Sequence, residues 1–325
     1  MKRRSLIVGL IGAAVAPTVE AASQPANFPG NGRVTLVVPF APGGTTDIVA
    51  RLVAQGLSAR WNTAVIVDNR TGAGGNIGAA HIARSRPDGY NLLVGATFLA
   101  NAPALTRQLP YDIATDFSPV TLIATSPLVL MVSTRSGIAS IPELIARLKA
   151  KPSNVNYGSS GVSTSINLST LMFLNRVGGE ATHIVYRGSG PALTALATGE
   201  LDMLFDNYAT GMPFIASGQV KGLALTGLDR ATLPTDLPTL SEAALPNFES
   251  LTWIGLLAPG RTPVEIVSWI NAEVAAVLNE ADTRRKLLEL AFSVRTSSPE
   301  EMGIFMQGEL AKTRALVRTN NIEPE

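Results

Sequence analysis

The run Val38-Pro39-Phe40-Ala41-Pro42-Gly43-Gly44-Thr45-Thr46-Asp47 leads from the end of an apolar strand into a helix. A turn of this kind presents backbone amides and the partial positive charge of a helix start, and its glycines let a ligand approach the main chain. The chemistry on offer is the holding of an anion. The same composition also serves a turn that merely redirects the chain. A second run, Tyr157-Gly158-Ser159-Ser160-Gly161-Val162-Ser163-Thr164-Ser165, stands ahead of an apolar helical stretch from Ile166 to Leu174. Its hydroxyls and amides could cradle a carboxylate or carbonyl, and a serine-rich capped turn would look the same. A third, Thr71 to Gly78, resembles a dinucleotide-binding turn at first sight. Three residues separate Gly74 from Gly78 where that fingerprint has two, and Asp88 falls in the turn Arg86-Pro87-Asp88-Gly89 instead of closing a strand.

Catalytic chemistry finds little support. The two histidines, His81 and His183, stand in no nucleophile or metal pattern, and Ser159 and Ser160 lack nucleophile-elbow spacing. Asp202 and Asp206 lie four apart with nothing beside them that suggests acid–base work. The absence of cysteine excludes disulfides, thiolate metal sites and cysteine nucleophiles together.

The elements that must position these turns follow from hydrophobic spacing. Val34 to Val38, Val65 to Val67 and Leu92 to Val94 read as buried strands separated by helical segments, the pattern of parallel β-α-β units and an α/β fold. A helix from about Asp47 to Arg60 would put Ile48, Leu52 and Gly56 on one side. Three later helices are marked at their starts by Ser140 with Glu143, Thr262 with Glu265 and Ser298 with Glu301, the spacing of reciprocal capping, and by Pro142, Pro263 and Pro299. The last two are expected over Pro263 to Asn279 and Pro299 to Thr319. Ala124 to Thr134 reads as a strand pair or a long crossing strand, and Trp253 to Ala258 as a return strand after the prolines 234, 238 and 246.

Lys2, Arg3 and Arg4 precede an apolar run from Leu6 to Ala16 and small residues around Ala21, the three-part shape of a secretory signal cleaved near Ala21. The run is shorter than the roughly 20 residues a membrane-spanning helix needs. Arg3 and Arg4 also permit twin-arginine export. The remaining chain of about 300 residues exceeds the usual reach of a single core, so two lobes are expected. A formal charge of +1 with no later basic run argues against nucleic acid as a partner. The division expected is a signal over 1–21, a first lobe over 22–130, a second over 131–250, and a return to the first with C-terminal helices over 251–325.

Along nearly all of its mature length the chain resembles the periplasmic solute receptors of tripartite tricarboxylate transporters, the Bug family. The resemblance is carried in order by Pro39 to Arg51, Asn69 to Gly78, Pro87-Asp88-Gly89-Tyr90, Val185-Tyr186-Arg187-Gly188, Gly199-Glu200-Leu201-Asp202, Leu233 to Thr239 and Ala258-Pro259-Gly260. It implies an α/β, type II-like periplasmic binding protein of two lobes, each a mixed β-sheet flanked by helices, with a ligand cleft between them. It also implies a monomer without cofactor or metal that is not an enzyme and passes a small carboxylate to membrane permease subunits.

The ligand-facing residues the resemblance suggests are Phe40, Pro42, Gly43, Gly44, Thr45 and Asp47 in the first turn, and Thr97 and Asn101 in a loop from Thr97 to Pro103. In the second lobe they are Ser159, Gly161, Ser163, Thr164, Asn167 and Asp206. The second lobe departs from the family pattern, with Ser163 and Thr164 in place of glycine and serine and Asn167 in place of histidine. That difference is expected at the distal end of the ligand. A receptor for a membrane sensor is compatible with the same features, and an exported hydrolase would need a nucleophile within reach of a base.

Overall fold

The β-branched runs form strands and the periodic segments between them form helices. The computed structural model describes residues 23–151, 153–230, 233, 235–319, 322 and 324, so the expected cleavage point at Ala21 lies outside the described residues. The first half contains β1 (Val34–Val38), α1 (Thr45–Trp61), β2 (Val65–Asn69), α2 (Asn76–Ala83), β3 (Asn91–Ala96), α3 (Phe98–Leu105) and β4 (Phe117–Ser133). Next come α4 (Ile141–Lys149), β5 (Asn156–Ser159), α5 (Ser165–Val177), β6 (Thr182–Val185), α6 (Ser189–Thr198), β7 (Met203–Asn207), α7 (Tyr208–Ala216) and β8 (Val220–Leu225). The chain closes with α8 (Leu240–Ala243), β9 (Leu251–Pro259), α9 (Val264–Asn279), α10 (Ala281–Glu289), β10 (Ser293–Val294) and α11 (Pro299–Thr319).

Two mixed sheets result. The first has the order β2-β1-β3-β9-β4-β10, with β1 parallel to β2 and β3 and the remaining pairs antiparallel. The second has the order β8-β4-β7-β5-β6, with β5 parallel to β6 and β7. β4 belongs to both, pairing with β9 through Pro127 and with β7 from Leu128 onward. One crossing strand thus ties the lobes, and beside it Leu128 N donates to Thr226 Oγ1 at 2.8 Å where the chain returns.

β1 shows why the first sheet is covered on both faces. Val34, Leu36 and Val38 pack with Val53 and Leu57 of α1 and Ile270 and Val274 of α9. Val37 points the other way, onto Ile82 of α2 and Met302 of α11. Successive strand side chains face opposite sides, so a nearly continuous apolar run marks a strand buried on both. The second lobe has a core of its own, centred on Leu130, Phe173, Leu193 and Phe205.

Several local expectations are corrected. α1 buries Val49, Val53 and Leu57, one position round from the expected Ile48, Leu52 and Gly56 face, because both the sheet and α9 claim that side. The segment after β3 is the helix α3 and not a loop. Ser298 and Glu301 cap reciprocally, and Ser140 caps Glu143 N while the Glu143 carboxylate reaches Ala139 N. Thr262 makes no such cap, since its hydroxyl turns back to Pro259 O at 2.7 Å. The spacing instead works at Thr239 and Glu242, where α8 has a complete capping box.

Candidate functional site

The two sheets meet across a cleft walled by the starts of helices. The space there is about 520 Å³, a figure that includes open solvent at the mouth of the cleft. Its first wall is the turn into α1, with Phe40, Ala41, Pro42, Gly44, Thr45 and Thr46. Asp47 builds that turn from beneath. Its Oδ2 accepts from Gly43 N at 2.9 Å and from Arg51, and its Oδ1 accepts from Arg51 and from Asn69 Nδ2, which also donates to Phe40 O. Burial pushes the Asp47 pKa up, but the bonds from Arg51, Gly43 and Asn69 together outweigh it and hold the group below the usual value. Gly43 takes φ +78°, a conformation that favours glycine, with open space where a Cβ would stand. Gly44 caps α1 without a side chain, so the helix's first amides receive no side-chain partner.

The second lobe supplies three more starts. At α5, Thr164, Ser165 and Ile166 line the cavity with Ser160. Thr164 Oγ1 donates to Gly161 O at 2.7 Å and accepts from Asn167 N. At α6, Gly188, Ser189 and Gly190 line it, and Gly188 is another cap without a side chain. At α7 the cap is Asn207, whose side chain caps no amide. No charged side chain lines the cavity among the described residues. Its polarity comes from helix ends, each equivalent to roughly half a positive charge, and from hydroxyls. Thr45 and Asn207 belong to this wall, and their Oγ1 and Oδ1 are buried without a partner.

Asp206 stands directly behind. It is fully buried, and its Oδ1 accepts from Ser189 Oγ at 2.8 Å, Asn207 N at 2.6 Å and Thr210 Oγ1 at 3.0 Å, while Oδ2 has no partner. Burial raises its pKa from 3.8 to about 6 against the opposing pull of those donors. Asp206 therefore orients two residues of the wall without forming the wall itself.

Of the residues expected to face a ligand, Phe40, Pro42, Gly44, Thr45, Thr97 and Thr164 line the cavity. Gly43, Asp47, Ser159, Gly161, Ser163, Asn167 and Asp206 do not; they hold the turns or join the lobes. Asn167 accepts from Tyr157 Oη at 3.0 Å and donates to Val162 O at 2.8 Å, so its amide is spent on structure instead of reaching toward a distal ligand group. Asn101 donates to Ser163 O across the lobes and accepts from Thr313 of α11, while lining a second cavity between α3, α5 and α11. Ser159 Oγ lies 2.7 Å from His183 Nε2, yet it has no exposed surface and is outside the cavity wall, so this pair meets no substrate there. The sequence reading placed Ser160 and Ser165 in a candidate run without singling them out, and it missed Ser189 and Asn207. Gly188-Ser189-Gly190 after β6 is a strand-to-helix turn of the same kind as Pro42 to Thr45 and could have been found by that signal.

Comparisons with known proteins establish the family and the fold. Residues 49–322 match the model of the tripartite tricarboxylate transporter family receptor. A UPF0065 protein from the tcbD-tcbE intergenic region of Pseudomonas sp. is 35% identical over 285 residues, covering 87% of this chain and 85% of the relative. BugT of Bordetella pertussis is 32% identical, covering 98% and 97%. Among solved structures, R. palustris Rpa4515 with adipate superposes with a TM-score of 0.87 at 36% identity, covering 90% of this chain and 99% of that one. MatC from Rhodopseudomonas palustris with bound malate gives 0.83 at 32% identity, covering 88% and 99%. With its two-lobed periplasmic-binding fold and its sequence match, the chain belongs to the tripartite tricarboxylate transporter receptor family.

Proposed function

We propose that this receptor captures a small carboxylate between its lobes in the periplasm and delivers it, as a monomer, to the membrane permease subunits of a tripartite transporter. The observation that carries the reading is the convergence on one cavity of the starts of α1, α6 and α7, none capped by its own side chain, in a wall with no charged residue among those described. Amides so placed are suited to carboxylate oxygens, and each hydrogen bond to a charged group contributes on the order of 1.5–3 kcal/mol. The adipate and malate bound by two relatives support the same ligand class. No reacting group is required for this role. Phe40, Pro42, Gly44, Thr45, Thr97 and Thr164 would touch the ligand, and Gly43, Asp47, Ser159, Gly161 and Asp206 would hold the turns that do so.

A thermal-shift panel tests the reading, because a ligand that binds only the folded state raises apparent stability. Mono- and dicarboxylates, adipate and malate among them, are expected to raise the midpoint, and neutral sugars and cations are not. The opposite pattern would refute an anion site.

A further inference from the structure

Asp206 is a buried carboxylate held by residues that also face the cleft. It has no exposed surface, and its Oδ1 accepts from Ser189 Oγ, Asn207 N and Thr210 Oγ1 while Oδ2 has no partner. Ser189 and Asn207 stand in the cleft wall at the starts of α6 and α7. The helix starts proposed to receive a ligand's carboxylate thus already steady one negative charge from behind. No cation among the described residues acts on that charge. β4, β5, α5, α6 and α7 pack against β7, and the titratable groups they carry are Tyr157, Tyr208 and Arg176. Phenols are uncharged near neutral pH, and Arg176, in the last turn of α5, donates to Pro246 O at 2.9 Å instead.

We infer that Asp206 is a proton switch on affinity: a carboxylate arriving at the starts of α6 and α7 draws a proton from solvent onto Asp206. The inference rests on the carboxylate reading of the same cleft and adds its regulation. A second anion beside a buried carboxylate that has no counter-ion disfavours the ionised form of that carboxylate further. Oδ2, the oxygen without a donor, is where the proton goes. Burial has already lifted the Asp206 pKa from 3.8 to about 6, so the exchange falls close to neutral pH. Below about pH 6 Asp206 is protonated before the ligand arrives, and affinity is highest. As pH rises further the ligand must itself bring about the protonation, and affinity falls until the complex also loses its proton.

Calorimetry with malate and adipate on the whole mature chain, in MOPS and in Tris at pH 7, counts the proton, because the heat differs between buffers in proportion to the protons taken up. The parent should take up part of a proton per ligand and bind roughly tenfold more weakly at pH 8.5 than at pH 6. Both probes stay ionised over that range, since ordinary carboxyls titrate near pH 4. Asp206→Asn should take up no proton and bind with one affinity at both pH values. Thr210→Val removes a donor to Oδ1 from behind the wall, so it should move the fall in affinity to higher pH, and it serves should the asparagine variant fail to fold. A parent with no uptake and constant affinity, uptake that persists in Asp206→Asn, or a fall left in place by Thr210→Val would overturn the inference while leaving carboxylate capture intact. A parent that binds neither probe would refute carboxylate capture and this switch together.

Discussion

The lobes touch where glycine faces glycine, and one added methyl group should decide whether they can. A Cβ on Gly161 would stand 2.5 Å from Gly74 Cα, whereas a Cβ on Gly74 would stand 3.6 Å from Gly161 Cα. Ordinary contact begins near 3.4 Å, so Gly161→Ala requires the facing backbone to retreat by at least about 0.9 Å (3.4 − 2.5), while Gly74→Ala requires no retreat. A shift of that size takes a cross-lobe bond such as Asn101 Nδ2 to Ser163 O, now 3.0 Å, beyond the roughly 3.2 Å limit of a good hydrogen bond. A ligand spanning the lobes would lose at least one amide-to-carboxylate bond, on the order of 1.5–3 kcal/mol or roughly ten- to a hundredfold in affinity. Both glycines have positive φ, so both variants should lose stability, by about 1–2 kcal/mol in the left-handed conformation of Gly74. The assay is calorimetric titration with the tightest carboxylate of the panel beside urea unfolding on the same preparations. Folded Gly161→Ala binding as tightly as the parent, or Gly74→Ala losing as much affinity as Gly161→Ala, would refute the role of this contact.

Asp206 sets a pH dependence. Its folded pKa of about 6 lies above the ordinary 3.8, so its contribution favours the fold fully below about pH 4 and is lost as pH rises toward 6, a swing on the order of 3 kcal/mol. Urea unfolding at pH 4 and pH 7 should show Asp206→Asn gaining on the parent at the higher pH, and a pH-independent difference would contradict a buried titrating carboxyl. Asp47→Ala should destabilise the protein by about 1–3 kcal/mol and weaken carboxylate binding through loss of the Gly43 brace, as unfolding and calorimetry on one sample would show. Asp47 has a lowered pKa, so its own contribution should be present above about pH 4 and disappear as pH falls through the folded value. Asn167→Ala should cost about 1–3 kcal/mol of stability, from loss of its bonds with the Tyr157 hydroxyl and the Val162 carbonyl, with the order of ligand preference unchanged in the thermal-shift panel.

Strand and helix positions were legible because burial imposes a period. Val34 to Val38 is apolar on both faces, and the long crossing strand could be read from the apolar run that became β4. The first wall of the cleft was legible for a different reason: Pro42-Gly43-Gly44 between a strand and a helix marks a turn whose glycines leave its amides uncovered. Which residues of a turn face the cavity was not legible. Asp47 and Asn167 are polar and close to the site, yet both are consumed by bonds that shape it, Asp47 by Gly43, Arg51 and Asn69, Asn167 by Tyr157 and Val162. Such a choice depends on partners distant in sequence, as with Asn101, whose amide is shared between Ser163 and Thr313. Asn207 escaped notice because a lone asparagine after a strand carries no distinguishing spacing. Its place in the wall comes from Asp206 beside it and from a cleft that both lobes build.

In the proposed site helix-start amides, and not charged side chains, hold the ligand's carboxylate. Amide-proton NMR during titration with adipate and malate reads this directly, because a backbone N–H that donates to a carboxylate moves downfield. The largest shifts should fall on Thr45, Thr46, Ser189 and Gly190 and saturate with the calorimetric affinity. Saturable binding that leaves those amides unmoved and shifts only residues beside exposed Arg or Lys side chains would contradict it.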